Sequence, residues 1–323
     1  VRAVVGGAAC GSPSSAVSLG GPMRGNSWDI LGRPDRARWA RELVNMAQGV
    51  HLFLDALEPV SFNEMPELEK WVAARLFELN KKYISETEIY LNKNFPTLNL
   101  KNFFVFHQRD DNYKSTSNFR GSDIHSYVKM IEFILSKGYD LIRLVNNESK
   151  KLSFDNSKYI ELNTDIIFNK EIQYYLIYFS KGLICTSSGP ASIGSLFSKP
   201  VFDTNNYGSN VNSITNKGTY ILKKISINNK YLDLKELIEL KFFEGMYACT
   251  RKCKRIGLEV INNSEIEILE GFKDFLNIQN KNEISYDQKT FKKNLPNCEL
   301  KYYDSNISQS FIKENKFFFK DII

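Results

Sequence analysis

A chain of 323 residues can form two domains of ordinary size, and its composition, 42% hydrophobic and 25% charged, is typical of a globular protein with a sizeable core. No segment approaches the roughly 18 consecutive apolar residues of a membrane span. The net charge of +6 favours anionic small molecules or a membrane surface as partners. Because the lysines are dispersed and no basic helix is evident, we do not expect nucleic acid as a partner.

The composition changes along the chain. Residues 1–76 contain one Lys and seven Arg, whereas residues 77–323 contain 30 Lys and five Arg. This switch indicates either two sequence origins or a divergent N-terminal domain. Residues 1–36 are rich in Gly, Ser, Pro and Ala, and we predict that they are irregular or disordered. Residues 37–100 carry stretches of helical spacing and are predicted to form a helical N-terminal segment.

From Asn102 onward, short apolar runs alternate with amphipathic segments. The predicted strands are 103–106, 140–145, 159–162, 182–185 and 200–202. The predicted helices are 123–136, 171–180, 191–197, 232–243 and 264–276, the last opened by a capping box of Ser264 and Glu267. This alternation predicts an α/β fold with a Rossmann-like parallel sheet and helices on both faces. We assign it to residues 101–280 and expect residues 281–323 to pack back on it as a C-terminal tail.

The first predicted strand runs directly into a polar loop that carries His107, Arg109 and Asp110. Alternate residues of a strand share one face, so His107 and Arg109 project the same way if the strand persists. Arginine offers a fork of donors suited to a diphosphate, and histidine can donate a hydrogen bond or act as a base. The structural alternative is a histidine that closes the strand and an arginine paired with Asp110 or Asp111.

The strand at 182–185 is followed by a second polar segment, Thr186, Ser187, Ser188 and Gly189, which opens a helix. Small residues at a helix N-terminus allow backbone N–H groups to approach a phosphate closely. The alternative is a tight turn with Ser187 or Ser188 as the helix cap. Ligands of open α/β sheets bind beyond the carboxyl ends of the strands, so the two segments together predict a site for an anionic phosphate ligand.

Four further residues are weaker candidates for the same site. Arg120 would bring a second cation, and Tyr113 could stack on a base or sugar or merely cover the loop. Arg143 ends a strand and could reach the ligand or pair with Glu132 or Glu148. Asn205 follows the next strand and would approach the same crevice, although a solvated turn is the alternative.

Several motifs taken together carry a family resemblance. They are His-x-Arg-Asp at 107–110 with Tyr113, Phe-Arg-Gly-Ser-Asp-Ile at 119–124 with Tyr127, Gly138 to Arg143, Thr-Ser-Ser-Gly at 186–189, Phe197 to Pro200, Asn205, 257–260, 263–268 and 307–311. Over residues 100–315 the chain resembles a poorly characterised family of bacterial glycosyltransferases of the two-Rossmann (GT-B) type, associated with surface polysaccharide synthesis. The His-x-Arg element is also similar to that of fucosyltransferases that use a guanosine-diphosphate sugar.

This resemblance implies a hexosyl- or fucosyltransferase-like enzyme with a nucleotide-sugar donor and a glycan or lipid-linked acceptor. It implies a cytoplasmic protein that associates peripherally with the inner face of the membrane and needs neither metal nor cofactor. The implied catalytic residues are His107, Arg109 and Asp110. The implied donor-binding residues are Tyr113, Arg120, Arg143, Thr186, Ser187, Ser188, Gly189 and Asn205.

The chain also departs from the family pattern. Leu144 and Val145 stand where the family has a glycine, and Gln173 with its neighbours stands where an acidic residue is expected. The half of the enzyme that would bind the acceptor is either missing or replaced by residues 1–76. Two other functions therefore stay open: a protein that binds a nucleotide or nucleotide sugar without turnover, and a pyruvyl-type transferase on the same fold.

Overall fold

The computed structural model describes residues 81–110, 121–165, 171–186, 188–197, 199–207, 217–240, 242, 257–281 and 283–323. The strands of this part are β1 (Phe103–His107), β2 (Asp140–Val145), β3 (Tyr159–Asn163), β4 (Leu183–Thr186), β5 (Val201–Asn206), β6 (Thr219–Leu222), β7 (Lys224–Ile227), β8 (Lys230–Tyr231), β9 (Leu258–Ile261) and β10 (Asn306–Ile307). Its helices are α1 (Lys81–Asn94), α2 (Val128–Ser136), α3 (Glu171–Phe179), α4 (Gly189–Leu196), α5 (Leu234–Glu239), α6 (Glu265–Lys281), α7 (Tyr286–Asn294), α8 (Gln309–Glu314) and α9 (Lys316–Phe319).

Seven strands form one sheet in the order β3-β2-β1-β4-β5-β6-β10, and every neighbouring pair is parallel. The chain runs outward from β1 to β3, crosses back, and runs outward again from β4 to β6. This is the strand order of doubly wound dinucleotide-binding folds, in which the order reverses between β1 and β4. The predicted α/β class and Rossmann-like parallel sheet are confirmed.

The apolar runs of the sequence are continuous because the sheet is buried on both faces. In β1, Phe104 and Phe106 face a core that includes Phe272 and Phe275 of α6. The alternate residues of β1 face a second core built with α1, α3 and α4. The observed bounds of β2 are those predicted, and the other predicted strands shift by one to four residues at their ends.

Local signals set the helix ends. The predicted helix 123–136 is a 3-10 turn, Ile124–Tyr127, followed by α2. Asp123 is the N-cap and accepts from the His125 N–H, while Gly138, with φ of +82°, follows the end of α2. The predicted capping box of α6 is confirmed: Ser264 N donates to Glu267 Oε2 (2.9 Å), and Glu267 N donates to Ser264 Oγ (3.2 Å).

Three features of the fold differ from the sequence predictions. A three-stranded antiparallel sheet, β8-β7-β9, follows the main sheet, and the predicted helix 232–243 is described as a helix only at Leu234–Glu239. The C-terminal segment supplies β10, which adds an edge strand next to β6. Four-residue strands such as β6 and β7, separated by Lys223 alone, are stabilised by partners distant in sequence and leave a weak local pattern.

No helix in the described ranges has the length and apolar composition needed to cross a bilayer.

Candidate functional site

A cleft of about 450 Å³ opens at the carboxyl ends of the strands where the strand order reverses. Ligands of open α/β sheets bind at this position, because the loops on either side of the reversal leave in opposite directions and create a crevice. Its lining residues are His107–Asp110 after β1, Leu144–Asn146, Glu148 and Ser149 at and after β2, Thr164 after β3, Gln173 of α3, and Ser188–Pro190 at the start of α4. Part of each polar segment predicted from the sequence therefore lines one cleft: His107–Asp110 forms its first wall, and Ser188–Pro190 forms its second.

His107 joins these two walls. Its Nδ1 lies 3.0 Å from Ser188 Oγ. Burial, reinforced by the positive charges of Arg143 and Arg109, lowers the pKa of His107 from 6.5 to about 4. The imidazole is therefore neutral at pH 7, with one donor and one acceptor nitrogen. Nδ1 is hydrogen-bonded to Ser188, so Nε2 is the nitrogen that could form a hydrogen bond to a ligand or act as a weak base.

The N-terminus of α4 forms the second wall. Ser188 is the N-cap residue, but its side chain makes no hydrogen bond to the first turn of the helix, because the hydroxyl lies against His107 instead. A Cβ built on Gly189 meets no atom within 4 Å. The backbone at the positive end of the helix dipole is thus open to the cleft, an arrangement that favours an anion.

Arg109 brings a guanidinium to the first wall. Its backbone N–H donates to the buried Thr186 hydroxyl (3.2 Å), and its carbonyl accepts from Ser122 N (2.9 Å). Thr186 itself does not line the cleft; it fixes the end of β1 to the end of β4. These contacts fix the backbone of Arg109 next to the end of β4, and the residue lines the cleft together with the N-terminus of α4.

A closed ring of hydrogen bonds supports the loop after β1. Buried Gln108 donates to Asp110 Oδ1 (3.1 Å) and accepts from Arg143 Nη2 (3.2 Å). Lys150 completes the ring: its N–H donates to Asp110 Oδ2 (3.2 Å), and its carbonyl accepts from Arg143 Nη1 (2.9 Å). Both carboxylate oxygens of Asp110 are thus engaged inside the loop, which fits an orienting role.

Arg143 lies beneath the cleft rather than on its surface. Only 1% of its side chain is exposed, and it pairs with Glu161 at 2.6 Å, whereas Glu132 and Glu148 were the expected partners. The physical reason is its place inside β2, level with Glu161 of β3 in the parallel register. Arg143 affects the site in two ways: it donates a hydrogen bond to Gln108, and its positive charge lowers the pKa of His107.

Asn205 lies neither at the cleft nor in a solvated turn. It is buried at the end of β5 with φ of +50°, and it exchanges two hydrogen bonds with Asn263: Asn205 N to Asn263 Oδ1 (2.7 Å) and Asn263 N to Asn205 Oδ1 (2.8 Å). Its amide also donates to Tyr127 Oη (3.0 Å). These contacts close the far side of the sheet against α6.

Three predicted site residues, Tyr113, Arg120 and Ser187, lie outside the described residues. Conversely, the sequence reasoning missed Gln108, Glu148, Thr164 and Gln173 as lining residues. Position after a strand is an available signal for Gln108, Glu148 and Thr164, whereas Gln173 lies within a helix and is marked in the sequence only by its departure from the family pattern. Among the described residues, no group of three or more His, Cys, Asp or Glu side chains is arranged to hold a metal ion.

Comparisons with known proteins add one distant likeness. No family model and no curated protein match the sequence. Among solved structures, the chain is similar to a glycosyl transferase family 9 protein from Veillonella parvula DSM 2008, with 11% identity and a TM-score of 0.35. The match covers 60% of this chain and 51% of the other, so the chain spans about half the length of that transferase. Function is therefore inferred from the cleft itself.

Proposed function

We propose that the chain binds a nucleotide-sugar donor in this cleft and transfers the sugar to a bacterial surface glycan, either free or lipid-linked. The observation that carries the proposal is the meeting of Arg109 with the open N-terminus of α4 at the reversal of the strand order. A diphosphate placed there would receive charge-assisted hydrogen bonds from the guanidinium and from backbone N–H groups. The motif resemblance over residues 100–315 supports a sugar nucleotide as the source of that diphosphate.

The residues take distinct parts in this reaction. When the glycosidic bond breaks, negative charge grows on the leaving diphosphate, and a preorganised cation and helix dipole stabilise it without a metal ion. Arg109 supplies the cation, and Ser188 and Gly189 supply the helix end. Neutral His107 is able to accept a hydrogen bond or a proton at the cleft, and Asp110 orients the loop. Tyr113, Arg120 and Ser187 join the donor site on the strength of the motifs.

The first experiment is a thermal-shift screen of the full chain with uridine, guanosine and cytidine diphospho- and monophospho-sugars, followed by a sugar-transfer assay with the best ligand. We expect one nucleotide class to raise the melting temperature, since a ligand that binds only the folded chain stabilises it. Stabilisation without transfer or sugar release would favour a binding-only protein. Stabilisation by phosphoenolpyruvate and by no nucleotide sugar would favour the pyruvyl transferase.

The second experiment replaces the cation. Arg109→Ala is expected to weaken binding of that nucleotide about tenfold or more, the loss expected for a charged hydrogen bond. Lys129→Ala serves as the matched control, because Lys129 is an exposed cation on α2, outside the cleft lining. Equal nucleotide affinity in the two variants would remove Arg109 from the site and overturn the proposal.

A further inference from the structure

The charges that line the cleft do not by themselves balance an anionic ligand. In the described part of the chain, the charged lining side chains are the cation Arg109 and the carboxylates Asp110 and Glu148. Arg143 lies beneath the cleft, and Glu161 offsets its charge at 2.6 Å. A bound diphosphate adds negative charge to this lining, and the dipole of α4 compensates only about half a charge. A lining group that takes up a proton would supply the rest.

His107 is a lining residue with this capacity, because imidazole changes charge near neutral pH. The residue is partly exposed, and burial together with the charges of Arg143 and Arg109 keeps the ring neutral in the free chain. A phosphate beside the ring would oppose both guanidinium charges, since an opposite charge within about 4–6 Å favours the charged form of a titratable group. Binding of an anion is therefore expected to raise the pKa of His107 from about 4 toward its ordinary value of 6.5.

Ser188 suits both charge states of the ring. Its Oγ lies 3.0 Å from His107 Nδ1 and makes no hydrogen bond to the first turn of α4. A hydroxyl donates to an unprotonated ring nitrogen and accepts from a protonated one, so this contact persists when the charge changes. In the charged ring Nδ1 donates to Ser188, which leaves the N–H of Nε2 as a donor for the ligand.

The other described neighbours of the ring keep their charge. His107 is level with Cys185 of β4 in the parallel register. Burial, with a contribution from Asp203, raises the pKa of the Cys185 thiol well above its ordinary value, so the thiol stays neutral. Asp110 accepts a hydrogen bond at each carboxylate oxygen, as expected of an ionised group. The imidazole is therefore the group at this wall whose charge can respond to a ligand.

We propose that His107 takes up a proton when a phosphate ligand enters the cleft and then contributes a positive charge in addition to Arg109, while Ser188 positions the charged ring. The proton comes from the solvent and returns to it when the ligand leaves, so no bond of the ligand breaks in this step. The cleft then binds its ligand more tightly as the pH falls from about 8 to about 5.5. The inference rests on the proposed function, because it takes a phosphate as the occupant of the cleft.

The test measures the affinity of the full chain for the nucleotide sugar identified by the screen, whose diphosphate does not change its charge over this pH range. Titration calorimetry should give an affinity about tenfold higher at about pH 5.5 than at about pH 8, the gain that follows if the pKa of His107 rises from about 4 to 6.5. In His107→Gln the gain should be about twofold at most. His125→Gln is the matched control and should keep the full gain, since His125 is exposed and lies outside the cleft lining. Melting curves at both pH values verify that each variant folds.

Nuclear magnetic resonance follows the ring directly. The chain has three histidines, and in the labelled protein His107 is identified by the resonance that titrates near 4 and that is missing from His107→Gln. Inorganic sulfate, a dianion of constant charge, should raise this pKa relative to sodium chloride at the same ionic strength.

Two variants test the part of Ser188. Ser188→Ala should reduce the gain in affinity at low pH to a few-fold, because the charged ring loses the acceptor of its Nδ1 proton. Ser188→Thr keeps a hydroxyl and should restore the gain. A full gain in Ser188→Ala would show that Ser188 does not position the charged ring.

Two results would overturn the proton uptake while the phosphate site stands. One is a pKa of His107 that stays the same with the nucleotide sugar bound, and the other is an equal gain in affinity in the unaltered chain and in His107→Gln. Sulfate that raises the pKa of His107 in a chain that binds no nucleotide sugar would support the proton uptake and overturn the proposed function. Failure of the unaltered chain to bind either ligand would overturn both.

Discussion

Polar side chains lie at the carboxyl ends of both β1 and β5. Those at β1 line a cleft, whereas those at β5 are buried. After β1, His107 and Arg109 line an open cleft above a buried ring of hydrogen bonds. At the end of β5, Asn205 is buried and is paired with Asn263 and Tyr127. The difference follows from position. β1 borders the reversal of strand order, whereas β5 lies to one side of it, and Asn263, between β9 and α6, covers the end of β5. Polar residues at a strand end thus mark a site only where the topology leaves them an opening.

The largest expected effect concerns the buried ion pair beneath the cleft at the end of β1. Glu161→Gln removes the charge partner of buried Arg143 and is expected to lower the free energy of unfolding by about 3–5 kcal/mol, because a buried guanidinium is left uncompensated. Urea denaturation at pH 7 measures this loss. The control Lys129→Gln breaks the exposed pair with Glu265 and should cost at most about 1 kcal/mol. Equal losses in the two variants would show that the buried pair of Arg143 and Glu161 stabilises the fold no more than an exposed pair does.

The next effect is a pH dependence to which His107 contributes through its lowered pKa. As pH falls, the unfolded chain protonates this histidine near 6.5, but the folded chain does so only near 4. The stabilising contribution is therefore complete above 6.5 and is lost between 6.5 and 4, by up to about 3 kcal/mol. Urea denaturation across this range should show a flatter profile in His107→Gln than in the unaltered chain, while His125→Gln, at an exposed histidine, leaves the profile steep. Parallel profiles would place a charged His107 in the folded chain.

At the buried end of β5 we expect a smaller loss of stability and no change in ligand binding. Asn263→Ala leaves Asn205 N and Leu222 O without their side-chain partner, and we expect a loss of about 2 kcal/mol in unfolding free energy. Because Asn205 does not line the cleft, nucleotide affinity measured by calorimetry should not change. A fall in affinity comparable to that of Arg109→Ala would show that the end of β5 belongs to the ligand site after all.

The smallest change in stability is expected for a substitution at Gly189, which tests whether a phosphate can approach the N-terminus of α4. Apart from its two chain neighbours, the new methyl group of Gly189→Ala meets no atom within 4 Å, but Pro190 follows directly and disfavours a helical residue that carries a Cβ in front of it. We therefore expect stability to change by less than about 1 kcal/mol, while the methyl group obstructs the approach of a phosphate. Gly194→Ala is the contrast within the same helix, because its Cβ would lie 2.9 Å from Leu183 Cδ2 and should destabilise. Melting temperature and nucleotide affinity are the two readouts. Undiminished affinity in Gly189→Ala would mean that no phosphate contacts this turn.

Local patterns predict the parts of the site that depend on chain neighbours. The buried strand Asp140–Val145 has its predicted bounds because six consecutive residues carry the burial of both sheet faces. The two polar segments were identified because each directly follows such a strand. The strands within residues 219–231 cannot be predicted locally because they depend on partners elsewhere in the chain, and the place of Gln173 in the lining depends on how α3 packs.

The sequence by itself determined the parallel α/β class, the walls of the cleft and the helix caps, because each depends on residues within one turn or one strand of each other. Only the tertiary structure decided that Arg143 lies beneath the cleft and Asn205 at a closed edge, and that Glu148 and Gln173 join the lining. The physical reason is that the partner of a polar group is chosen by which strands become neighbours. The order β3-β2-β1-β4-β5-β6-β10 brings together residues 18 to 81 positions apart, and no local spacing encodes that order.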